Sequence, residues 1–184
     1  MADTPATLDN IYSVANALVR ARVPYVFIGG VAMGFWSLPR ATYDLDVTVS
    51  ISADRLPSML RTLDSAGLVV DRIFESGFRD QLGGMEKVQV QLPTGGTLMT
   101  VDIFIASVPF LRSVMSRAVE LDPGRGPIRV CSAADLIVFK LAAYRRKDQL
   151  DLDDLVGMQG IPEREYIEHW TTELGIRERL DEWL

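Results

Sequence analysis

Apolar positions along the chain follow two periods. Leu8, Ile11, Tyr12, Ala15, Leu18 and Val19 recur three and four residues apart behind Thr7, which predicts a capped amphipathic helix ending before Pro24. Residues 25–28 form a short apolar run that reads as a buried strand. Gly29-Gly30 breaks it, and residues 31–38 read as a short helix stopped by Pro39. From Asp44 the period becomes two: Asp44, Asp46, Thr48 and Ser50 alternate with Leu45, Val47, Val49 and Ile51, a strand with one polar and one apolar face. Residues 53–66 return to the helical period, with Leu56, Met59, Leu60 and Leu63 on one side and Gly67 as the stop. Lys87, Gln89 and Gln91 then alternate with Val88, Val90 and Leu92. The turn sequence Pro93-Thr94-Gly95-Gly96 follows, and a return strand over 98–105 sets Val101, Ile103 and Ile105 against Thr100, Asp102 and Phe104.

Beyond the hairpin, residues 109–121 read as a helix and residues 122–127 as a Pro- and Gly-rich loop. Ser132 with Asp135 three residues later is a capping-box signature for an apolar helix over 136–144. From Asp148 the pattern is helical, with breaks at 157–162 and at Gly175. The expectation is an α+β fold: a core of residues 1–130 with a small mixed sheet packed with helices. An all-helical C-terminal extension, residues 131–184, packs on it to make one unit.

Composition narrows the classes. Of 184 residues, 48% are hydrophobic and 24% charged, as in ordinary globular chains and unlike disordered ones. Cys131 is the one cysteine, so no internal disulfide forms, and its place beside an apolar helix reads as a small buried thiol. His169, the one histidine, has no companion for triad or zinc chemistry and reads as a surface helix residue. No apolar run is long enough to span a bilayer, and the N-terminus carries no secretory pattern, so a cytoplasmic location is expected. The net charge of −6 gives no global footprint for nucleic acid, although nineteen Lys and Arg residues remain to build a local one.

Candidate chemistry begins with carboxylates. Residues i and i+2 of a strand share a face, so Asp44 and Asp46 project side by side. Like charges this close repel unless a cation or proton relieves them. Asp102 lies inside another apolar strand and meets the pair if the two strands are neighbours. Three hard oxygen ligands suit Mg²⁺, and two such ions suit in-line phosphoryl transfer with a pyrophosphate leaving group. A bare Asp-x-Asp pair also fits a solvated strand face; the third aspartate and the upstream glycines favour the metal reading. At a strand-to-helix junction, Gly29-Gly30 lets backbone N–H groups approach a phosphate, though a tight turn uses the same residues. Arg40 and Thr42 stand ready to pair with and hydrogen-bond to phosphate, and a solvated loop arginine is the alternative.

With these residues in place, the segment GGVAMGFWSLPRATYDLDV, residues 29–47, resembles the polymerase-β-like nucleotidyltransferase superfamily. It looks like the abortive-infection class within it, many members of which are toxins of toxin–antitoxin systems. That class shows GG-x-A, then R-x-T-x-D-[LI]-D, a third Asp on a later strand, and a helical Lys followed by R-x-K-D-x-x-D-L. This chain supplies Gly29, Gly30, Ala32, Arg40, Thr42, Asp44, Asp46, Asp102, Lys140, Arg145, Lys147, Asp148 and Asp151, in order, over about residues 25–155. Trp36 stands where members often carry His, and Gly29-Gly30 where many carry Gly-Ser.

The resemblance implies that Asp44, Asp46 and Asp102 bind Mg²⁺, with Asp102 also helping to deprotonate the acceptor. It implies that Gly29, Gly30, Arg40, Thr42, Lys140, Arg145 and Lys147 hold the nucleoside triphosphate (NTP). Lys140 interrupts an apolar helix, and a buried Lys needs a partner; snorkelling to solvent is its other reading. Arg145, Lys147, Asp148 and Asp151 can instead tie the tail to the core by ion pairs. The expected reaction is transfer of a nucleoside monophosphate from an NTP to a hydroxyl, releasing pyrophosphate. A tRNA end is the acceptor the family implies, with an antitoxin as partner. The alternatives are a small antibiotic acceptor, such as an aminoglycoside or lincosamide, and a nucleotide-binding module without turnover.

Overall fold

A computed structural model describes residues 5–38, 40–75, 80–82 and 85–184. Pro39, the expected helix stop, and most of the segment inspected for a secretory signal lie outside the described residues. Among the described residues eight strands form one mixed sheet, in the order β3 (Val69–Val70), β5 (Met85–Thr94), β6 (Thr97–Ile105), β2 (Asp44–Val49), β1 (Tyr25–Phe27), β8 (Ile128–Val130) and β7 (Val119–Leu121), with β4 (Asp80–Leu82) pairing β5 on the side.

The chain enters through α1 (Leu8–Arg20), capped by Thr7 with Asn10 as the reciprocal partner. Strand β1 (Tyr25–Phe27) runs directly into α2 (Gly29–Trp36), so the glycine pair forms the first turn of the helix and does not precede it. Strand β2 (Asp44–Val49) is antiparallel to β1. Helix α3 (Leu56–Ser65), β3 (Val69–Val70), α4 (Arg72–Glu75) and β4 (Asp80–Leu82) lead into the hairpin of β5 (Met85–Thr94) and β6 (Thr97–Ile105). Gly95 and Gly96 close this hairpin as a two-residue turn, both with positive φ (54° and 81°), the pairing a twisted hairpin favours.

The expected helix over 109–121 is shorter. Helix α5 (Pro109–Ser116) ends, and the chain turns into β7 (Val119–Leu121) and β8 (Ile128–Val130). These two strands flank the 122–127 loop as an antiparallel pair, and β8 joins β1 in parallel. Three residues are too few to express a period, which is why the helical reading ran through β7. Helix α6 (Ala133–Ala143) starts at the Ser132–Asp135 capping box, three residues ahead of the apolar run. Helices α7 (Arg146–Gln159), α8 (Arg164–Glu173) and α9 (Arg177–Trp183) complete the chain, with Gly157 inside α7 and the break falling at Gly160. No helix among the described residues is long and apolar enough to cross a membrane.

Helices cover both faces of the sheet. On one face Leu45, Val47, Val88, Val90, Val101 and Ile103 pack against Val14 and Leu18 of α1 and Met59, Leu60 and Leu63 of α3. On the other, Val26, Ile28 and Phe104 meet Met33 of α2, Leu111 of α5, Ile137 of α6, Leu152 of α7 and Ile167 of α8. The polar face of β2 is therefore divided: Thr48 is fully buried beneath this second layer, while Asp44 and Asp46 lie beyond its rim, half-buried. Trp36 joins the layers by donating from Nε1 to the Cys131 carbonyl at 2.7 Å, a packing role. Cys131 is fully buried, and that burial pushes its thiol pKa well up.

Asn10 couples the first helix to the hairpin. It accepts from Thr7 N at 2.9 Å and donates to Thr94 Oγ1 at 3.0 Å. Asn10→Ala removes both contacts and is expected to lower stability by about 1–2 kcal/mol in a denaturant melt.

Candidate functional site

Parallel pairing of β2 with β6 decides the site. The register sets Asp44 beside Thr100, Asp46 beside Asp102 and Thr48 beside Phe104. Laterally paired residues share a face, so the three aspartates stand together on the part of the sheet that the helices leave open. Strand β5 extends the row, with Gln91 beside Thr100, Gln89 beside Asp102 and Lys87 beside Phe104.

The end of β1 delivers the glycines to the same place. The Ile28 amide donates to the Asp46 carbonyl at 3.0 Å, drawing the first turn of α2 against β2. A Cβ on Gly29 would lie 2.1 Å from Asp46 Oδ2, and one on Gly30 would lie 2.3 Å from Thr42 Oγ1. Gly29 also has φ +55°. No larger side chain fits here unless Asp46 or Thr42 moves. Thr42 in turn donates from Oγ1 to Asp44 Oδ1 at 3.0 Å, which fixes that carboxylate. Asp102 accepts from Lys87 Nζ at 3.0 Å and from Gln89 Nε2 at 2.8 Å.

The carboxylates feel one another. The Asp46 pKa is pushed up to about 6, first by burial and then by Asp44 and Asp102, with Lys140 and Lys147 opposing the rise. Among the described residues no three acidic, His or Cys side chains converge into a ready-made metal cage. A divalent ion nevertheless suits the crowded Asp44–Asp46 pair, where it would relieve the repulsion that raises Asp46. Two cavities, of about 450 and 430 Å³, lie elsewhere, beside Glu163–Tyr166 and between Tyr12 and Arg125. Asp44, Asp46 and Asp102, each half-buried, form a shelf along this face of the sheet.

The expected triphosphate cations form an alternating chain of charge. Arg40 reaches Asp151 with both Nε and Nη2 at 2.9 Å. Lys140, buried, donates to Asp151 Oδ2 at 2.6 Å and to Asp148 Oδ1 at 3.2 Å. Arg145 donates from Nε to Asp148 Oδ2 at 2.7 Å. Lys140 is thus paired and does not snorkel, and Asp148 and Asp151 are its partners. Burial works against the ionised Asp148, but hydrogen bonds and charge from Arg145 and Lys140 outweigh it and hold its pKa below the usual range. Arg145 and Lys147 are exposed, and their charges couple electrostatically to the aspartates. The sequence marks these residues as charges but does not mark Lys87 and Gln89 as companions of Asp102. Their signal was the polar alternation of β5, which acquires meaning only once β5 is paired to β6.

Comparison with known protein families finds no matching family, and comparison with curated proteins finds no match. Solved structures do align. An antigenic nucleotidyltransferase-like protein from Paracoccidioides brasiliensis matches over 98% of this chain and 94% of its own, at 18% identity and a TM-score of 0.55. ANT(2″)-Ia in complex with adenylyl-2″-tobramycin matches over 91% and 96%, at 16% identity and a TM-score of 0.58. The solution structure of the antibiotic-resistance factor ANT(2″)-Ia matches over 94% and 92%, at 15% identity and a TM-score of 0.53. The chain has a nucleotidyltransferase-like fold.

Two stability measurements follow from the charges. The folded pKa of Asp46, about 6, exceeds its ordinary value of 3.8, so the ionised carboxylate costs stability above pH 6. That cost shrinks between pH 6 and 4 and is gone below it. In metal-free buffer Asp46→Asn should be more stable than the wild type at pH 7.5, by about 1–3 kcal/mol, and the two should converge near pH 4. Asp148→Ala removes a partner of buried Lys140 and should cost about 3–5 kcal/mol by chemical denaturation.

Proposed function

We propose that the chain is a Mg²⁺-dependent nucleotidyltransferase that moves a nucleoside monophosphate from an NTP to a hydroxyl acceptor and releases pyrophosphate. One observation carries this reading: Asp46 and Asp102 are paired in register, with Asp44 on the same face, at the glycine turn that opens α2.

Asp44 and Asp46 would hold Mg²⁺, which when bound neutralises phosphate charge and polarises the phosphorus centre. Thr42 keeps Asp44 oriented, and Gly29 leaves the space that Asp46 occupies. The backbone amides of Gly29 and Gly30, at the start of a helix, face anionic phosphate favourably. Arg145 and Lys147 reach the triphosphate from the rim, while Arg40 and Lys140 add positive potential from within their ion pairs. Asp102 accepts the proton of the acceptor hydroxyl. The oxygen then bonds to the α-phosphorus as the bond to the β-phosphate bridging oxygen breaks, and pyrophosphate leaves with that electron pair.

The motif resemblance supports a tRNA end as acceptor and a toxin role held in check by an antitoxin. A small antibiotic acceptor is the second reading. It draws support from the net charge of −6, which suits a cationic small molecule, and from the fold shared over nearly its whole length with ANT(2″)-Ia. Three mutually repelling carboxylates on one face weigh against a module that binds without turnover.

The test is incubation with each α-phosphate-labelled NTP and Mg²⁺, offering total tRNA in one arm and an aminoglycoside and lincosamide panel in the other. Wild type should transfer label in one arm, and Asp44→Asn and Asp102→Asn should each lose about 10²-fold or more in rate. Transfer untouched by either substitution would remove the aspartates from the chemistry. Mg²⁺-dependent NTP binding without pyrophosphate release in any arm would favour the non-catalytic module.

A further inference from the structure

Asp102 differs from its two neighbours in having each carboxylate oxygen held by a side chain of β5. Gln89 sits directly across the β5–β6 ladder from Asp102 and donates to Oδ1 at 2.8 Å. Lys87, paired with Phe104 two residues along, reaches diagonally and donates to Oδ2 at 3.0 Å. This is a built contact. Lys87 is 9% exposed, and the Asp102 side chain 17%, so water does little to screen the pair. Its ammonium stands beside the carboxylate on the side away from Asp46, because β5 and β2 flank β6 on opposite edges.

A carboxylate that ligates Mg²⁺ points a lone pair at the ion along a short bond in near-ideal octahedral geometry. Asp102 is instead drawn toward β5 by an ammonium and an amide. Among the described residues Asp44, Asp46 and Asp102 do not together form a three-carboxylate metal cage.

We propose that Lys87 and Gln89 are positioning residues that hold Asp102 out of metal coordination, with the Lys87 ammonium in place of a second divalent ion. The shelf then takes one Mg²⁺, through Asp44 and Asp46, and Asp102 keeps its remaining lone pairs for the acceptor hydroxyl. This rests on the metal-dependent reading above and replaces the two-ion expectation drawn from the sequence.

The experiment counts ions. Mn²⁺ is titrated into the full chain and followed by electron paramagnetic resonance, for the wild type and for Asp44→Asn, Asp102→Asn, Lys87→Met and Lys87→Arg, each first shown to melt cooperatively. One ion per wild-type chain is expected, lost in Asp44→Asn and bound within about threefold of wild-type affinity in Asp102→Asn. Lys87→Met should gain a second ion, while Lys87→Arg, which keeps the cation, should stay at one; a merely structural lysine would leave the count unchanged in both. Should Lys87→Met fail to fold, the comparison of wild type with Asp102→Asn decides alone. Two ions in the wild type, or a loss of about tenfold or more in affinity in Asp102→Asn, would overturn the proposal and leave the metal-dependent reading standing. No bound ion in any variant would overturn both.

Discussion

The parallel hydrogen-bond ladder between β2 and β6 is the interaction on which the rest depends. It brings two aspartates of one strand and one of another, more than fifty positions apart in the chain, onto a single face. Ladder pairing is non-local and slow to form, so the hydrophobic residues that alternate with the aspartates have to secure it. Leu45, Val47, Val101 and Ile103 are all fully buried on the opposite face. The same backbone thus serves two ends: its apolar side supplies the burial energy, and its polar side concentrates negative charge that burial alone would not permit. The raised pKa of Asp46 records the tension between them.

A second constraint keeps the helical layer in step with the sheet. Arg40 leads into β2, Lys140 belongs to α6, and Arg145 opens α7; Asp151 and Asp148 connect them in one alternating run. The interior of that run, Lys140 with Asp148 and Asp151, is buried. Such a pair contributes less through attraction than through the penalty for breaking it, since a lone buried charge is expensive. Its effect is to hold the helices at a fixed distance from the aspartate shelf. At its other end α6 is held by Asp135, which accepts from Tyr166 at 2.5 Å, so both ends of this helix are pinned by charge. The Tyr166 hydroxyl is in consequence shifted far above its ordinary pKa, by burial first and by Asp135 next.

Much of this arrangement was legible in the sequence, because it is written in local periods. The alternation through Asp44 and Asp46, the apolar setting of Asp102, the glycine pair and the Ser132 cap each express a rule that acts within a few residues. What escaped was what depends on partners distant in the chain. Strands β7 and β8, three residues each, are strands because β1 offers β8 an edge, and nothing in Val119–Leu121 alone distinguishes them from the end of α5. Lys87 and Gln89 looked like any solvated strand face until β6 lay beside them. The carboxylate partner of Arg40, Asp151, lies 111 residues away, so the sequence could mark the charges but could not pair them.

The two-glycine turn between β5 and β6 has a consequence for how this hairpin is free to change. Side chains alternate across a strand, so a slip of β5 by a single step against β6 would exchange its two faces. Val88 and Val90 would then occupy the places of Lys87 and Gln89, and the two polar side chains would be driven into the apolar layer under α1 and α3. The two-residue turn fixes the register Thr94↔Thr97, and through it which side chains the neighbouring aspartate meets.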